Sequence, residues 1–85
     1  MVNSRLYDSV KGVQKELDNM ITEYEIAVEY SNRSGISIRE ICSDEELKTM
    51  EATAHSAIDK LRGIDEEYRL RAIVLHNSIT TVLNQ

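Results

Sequence analysis

The sequence predicts an all-α protein: an antiparallel two-helix hairpin of coiled-coil character, with a short ordered connector and a second helix longer than the first. Three observations predict it. The 85 residues contain no proline, tryptophan or phenylalanine and only three glycines, so the turns and aromatics that strands favour are missing. Apolar residues recur in steps of three and four along most of the chain. A single polar break, Ser31-Asn32-Arg33-Ser34-Gly35, interrupts them. The length suits one domain, residues 1–85. A chain this short buries only roughly 60% of the surface its unfolded form exposes, so a partner subunit would help to stabilise it.

Helix 1 is expected over about residues 4–33. Leu6, Val10, Val13, Leu17, Met20, Tyr24 and Ala27 alternate in steps of four and three, the period of a helix lying along another helix. Ile21 and Val28 widen the stripe, and Lys11, Lys15, Asp18, Glu25 and Glu29 form a face suited to water. Asn3 or Ser4 can cap the start. Gly12, inside the helix, costs about 1 kcal/mol relative to alanine and could admit another backbone.

The connector, residues 34–42, opens with Gly35, suited to the left-handed position after a helix. Ile36, Ile38, Ile41 and Cys42 are apolar enough to fold back over the hairpin end. The segment is too short for an independent helix and has room for one helical turn.

Helix 2 is expected over about residues 43–83. Ser43 can cap it, with Glu46 three residues later completing a capping box. Asp44, Glu45 and Glu46 also complement the positive end of the helix dipole. The stripe then reads Leu47, Met50, Ala54, Ala57, Leu61, Ile64, Tyr68, Ala72, Leu75, Ile79 and Val82. Two successive steps of four after Ile64 form a stutter, and Gly63 beside it allows a bend. The connector sets a register with Tyr24 near Ala54, Leu17 near Leu61 and Val10 near Tyr68. Helix 2 then overhangs helix 1 by about two turns at its far end.

That overhang is apolar on most of its circumference. Leu70, Ile73, Val74, Leu75, Ile79, Val82 and Leu83 are more than one packed helix can cover, so a second chain is expected there. These seven, with Leu6 and Val10 of helix 1, are the candidate partner-binding residues.

Ten basic and fifteen acidic residues give a formal charge of −5, which disfavours nucleic acid and anionic membranes as partners. No apolar run approaches the ~20 residues of a membrane span, and residues 1–8 lack the apolar core of a signal peptide. With Cys42 as the sole cysteine, a cytoplasmic protein without internal disulfides is expected. Catalytic residues, cofactor and metal are each expected to be none. His55 and His76 are 21 positions apart on what reads as one helix, and no Cys-x-x-Cys, His-x-x-x-His or Glu-x-x-His spacing occurs. The acid cluster Asp65-Glu66-Glu67 reads as a solvated face within salt-bridge reach of Arg62, Arg69 and Arg71. The four tyrosines, at 7, 24, 30 and 68, sit on or beside the stripes and read as core or interface.

Two resemblances bear on function. Gln14-Lys15-Glu16-Leu17-Asp18 looks like the Ser-Gln-Glu-Leu-Asp motif of small sporulation phosphatases, but the serine is missing and the motif lies on the first helix rather than the second, so nothing is carried over. The length, the acidic charge, the helical hairpin and the apolar end of helix 2 together resemble the small chaperones and co-chaperones of bacterial type III secretion, of the YscE/SsaE type. That resemblance implies a non-catalytic protein-binding role: shielding an apolar helical surface of a secretion subunit or partner chaperone. The other reading is a homodimeric four-helix bundle with a structural or regulatory role.

Overall fold

The computed structural model describes residues 4–85, so Asn3 as a cap lies outside the described residues. Every element among them is helical: α1 (Ser4–Ser34), α2 (Ile38–Ile41), α3 (Asp44–Leu61) and α4 (Glu66–Leu83). The all-α class holds, whereas the two-helix hairpin with a longer second helix does not. The expected helix 2 is broken at residues 62–65 and doubles back, which makes α1 the longest helix.

The break is a type II turn. Ile64 N–H donates to Leu61 C=O at 2.9 Å, Arg62 has φ −58° and ψ 122°, and Gly63 has φ +74°. The third residue of such a turn needs the positive φ that glycine adopts without strain. Asp65 then caps α4: one carboxylate oxygen accepts from Tyr68 N–H at 3.2 Å. Glu66 reaches back to Gly63 N–H at 3.1 Å, and Glu66 and Glu67 occupy the first turn. The Asp65-Glu66-Glu67 cluster is therefore primarily a helix start. Its ion pairs, Arg69–Glu66 at 3.0 Å and Arg71–Glu67 at 2.9 Å, are exposed additions.

The other boundaries follow the sequence. Gly35, at φ +75°, ends α1 with its N–H on Ser31 C=O at 2.9 Å. Ser43 and Glu46 form the reciprocal capping box on α3. The connector contains the one-turn helix α2.

The result is three long helices, with α3 in the middle. It packs most extensively on α4, then on α1, while α1 and α4 run parallel and touch little. Small residues in the stripes, Ala54 and Ala57 on α3 and Ala72 on α4, are fully or almost fully buried, which suits a close helix approach. Leu17, Leu47, Leu61 and Ile79 are the largest fully buried side chains. Gln14 donates to Asp65 at 2.6 Å, joining α1 to the α3–α4 turn. Val10 does not lie level with Tyr68, however. Because α4 turns back, the Tyr68 hydroxyl donates to Asp18 instead, at 3.1 Å. Thr80 donates to Glu51 across α3 and α4 at 2.6 Å. At the opposite end Arg39 bonds both Asp44 and the Gln85 carbonyl, tying the connector to the end of α4.

These contacts fix what projects. Gln14 sits at the α3–α4 turn, and ahead of it residues 5–9 are exposed while Val10 and Val13 still pack partly against the core. The molecule is accordingly elongated, 52 × 20 × 20 Å.

Candidate functional site

The structure redistributes the nine candidate partner-binding residues. Folded against α3, α4 turns Leu75, Ile79 and Val82 into the chain's own core, at 4%, 0% and 8% exposure. The expected uncovered tail is thereby corrected: folded back as α4, it is shielded by α3, which a continuous second helix could not do. Ile73 and Leu83 are half-buried. Leu70 and Val74 remain outside, at 61% and 59% exposure. Leu6 is exposed and Val10 half-buried on the projecting part of α1.

Leu70 and Val74 are not isolated on the surface. With α3 wedged between them below, α1 and α4 diverge and leave an open groove of about 910 Å3. Ile21, Tyr24 and Val28 of α1 form one wall, Leu70, Val74 and Leu75 of α4 the other, and Ile38 lies at the connector end. Spacings of three and four put each set on one helix face. The rim is charged: Asp18, Glu25 and Glu29 on α1 face Arg71 on α4. Sequence reasoning had Leu70 and Val74 lying off the stripe and Ile21 and Val28 widening it, but it did not bring the two pairs together. The signal was the shared sideways offset of both pairs, which becomes meaningful only once α4 runs alongside α1.

Tyr24 at the floor is 9% exposed, and burial, followed by the nearby Cys42 thiol, pushes its hydroxyl up from the ordinary range. Cys42 is itself buried. Burial first, then the Glu46 and Glu23 carboxylates, push its thiol up, away from the reactive thiolate form. The Tyr68 hydroxyl beside Asp18 is also raised, chiefly by their hydrogen bond. Tyr7 and Tyr30 are exposed.

The fold-back brings His55 and His76 together across α3 and α4, with ring centroids 5.7 Å apart. This corrects their expected separation along one helix. Asp59 lies 3.8 Å from His55 on the solvent side, and no group of three metal-ligating side chains occurs among the described residues. A smaller depression of about 460 Å3 between α1 and α3 is lined by Glu16, Lys48, Lys60 and short polar residues, with Val13, Ala52 and Ala57 as its apolar part. No helix among the described residues is long and apolar enough to cross a membrane.

The α1–α4 groove combines concavity, apolar walls on two helices and a biased charge rim, and it has the largest volume of the depressions described. No family model, no curated protein and no solved structure matches the chain, so the groove's own chemistry is what bears on its role.

Proposed function

We propose that the chain is a non-catalytic binding module whose α1–α4 groove shields an apolar helix of another protein, as a small chaperone or co-chaperone of a secretion-system subunit would. The observation that carries this reading is the pairing of exposed Leu70 and Val74 with Ile21 and Val28 across an open groove. A helix laid there would turn three long helices into four, burying the channel by the packing that holds α3 to its neighbours. The three carboxylates on the α1 rim favour an incoming helix with basic flanks.

The test is capture by the tagged full chain from its native host, followed by mass measurement of the intact complex. The doubly substituted Leu70→Glu, Val74→Glu chain serves as the control. Both positions are exposed, so the variant should keep its helix content while losing the partner. Undiminished capture of the same partner by this variant overturns the reading. The homodimeric reading buries the same groove, and one feature favours it: the projecting part of α1.

A further inference from the structure

We infer that, when no other helix fills it, the α1–α4 groove is occupied by the projecting part of α1 from a second copy of the chain, the two copies exchanging these arms reciprocally. The inference rests on the groove being a helix-binding site, as proposed above, and names its resident occupant.

Length agrees. Gln14 is held by Asp65 at the α3–α4 turn, and ahead of it residues 5–9 are all exposed, while Val10 and Val13 pack only partly against the chain's own core. The nine helical residues 5–13 span about 14 Å, and the α1 wall of the groove, from Asp18 to Asn32, spans about 21 Å. Apolar character agrees as well. Tyr7 is 55% exposed on the arm, and Val10 and Val13 are only half-buried, whereas Leu17 on the same stripe is completely buried under α3.

Charge is complementary. Residues 5–13 carry Arg5 and Lys11 against one acid, Asp8. The groove rim carries Asp18, Glu25 and Glu29 against one cation, Arg71. The register then follows from spacing. Lys11, Asp18 and Glu25 recur every seven residues and so share one face of α1. Two antiparallel α1 helices related by a two-fold axis beside Asp18 set Lys11 of each copy level with Glu25 of the other. The same operation lays residues 5–13 of each arm level with residues 23–31, inside the groove, and makes both contacts at once. Asp18 lies on the axis, engaged by the Tyr68 hydroxyl and with Lys15 one turn before it. In the single chain Lys11 lies over the Tyr7 ring, 5.4 Å from its centroid.

Sedimentation equilibrium of the full chain and three variants tests this, with helix content checked by circular dichroism. Lys11 and Glu25 are exposed, so their substitution leaves the fold intact. The expected result is a dimer whose dissociation constant rises about tenfold in Lys11→Glu and again in Glu25→Lys, and recovers when both substitutions are combined. A chain monomeric throughout the micromolar range, a dimer indifferent to both single substitutions, or a double variant no tighter than the singles overturns the inference. Capture of the native partner separates it from the function proposed above. Lys11→Glu weakens the dimer and keeps capture, whereas Leu70→Glu with Val74→Glu removes dimer and capture together. Dimer behaviour that fails these tests while capture still depends on Leu70 and Val74 overturns only the arm exchange.

Discussion

Gly63 and Gly12 show how differently one residue type acts in one chain. Gly63 supplies φ +74° at the position of the type II turn where a side chain is strained, although nothing lies within 4 Å of where a Cβ would go. Gly63→Ala should therefore lower unfolding stability by about 1 kcal/mol through backbone strain alone. Gly12 sits inside the first third of α1 with the same open surroundings and no positive φ. Gly12→Ala should raise stability by about 0.5 kcal/mol, since alanine favours helix and meets nothing. Urea melts of the two variants beside the parent chain check both signs. If Gly63→Ala matches or exceeds the parent, the turn is not what holds α4 in place. The open space at Gly12 also means that, within one chain, no backbone makes the close approach its sequence position allowed.

At the scale of elements, α1, the connector and the start of α3 were legible because each boundary has its own local chemistry: Gly35 at one end, the Ser43–Glu46 capping box at the other. The division of the second half was not read, though its signs were present. Asp65-Glu66-Glu67 repeats the pattern of Ser43-Asp44-Glu45-Glu46, a capping side chain followed by acids, and the stutter after Ile64 marks the same place. An apolar stripe that continues across a break conceals it, because period alone does not distinguish one long helix from two stacked on the same neighbour. The candidate site suffered in turn: Leu70 and Val74 were singled out, but Leu75, Ile79 and Val82 were grouped with them because the shielding helix was unseen. The two sets should separate experimentally. Ile79→Ala, at 0% exposure, should cost about 3 kcal/mol. Val74→Ala, at 59% exposure, should stay within about 0.5 kcal/mol of the parent. Equal losses for both in denaturant titrations would mean that α4 presents a different face to α3.

Over the whole molecule, two carboxylates report on the tertiary joins. Asp44, hydrogen-bonded to Arg39, and Glu66, which accepts from Gly63 N–H and then from Arg69, are both held below the ordinary carboxylate range. A depressed folded-state value means that each contributes stability above the unfolded value of about 4 and loses it as pH falls through the lower folded value. Melting temperature should thus be flat from neutral pH to about pH 5 and fall below about pH 4, less steeply in Asp44→Asn combined with Glu66→Gln. An unchanged acid limb in that double variant would remove these two groups from the account. Both lie in water, so added salt should also flatten the limb. The short reverse turn carries a larger consequence. Residues 44–83 hold an almost unbroken apolar seam, and a single left-handed glycine separates a folded-back pair from a straight rod of about 60 Å. Helix-forming replacements at Arg62-Gly63-Ile64 would therefore do more than weaken the monomer: they would favour a domain-swapped species in which each rod borrows its neighbour's α3 to cover its own α4.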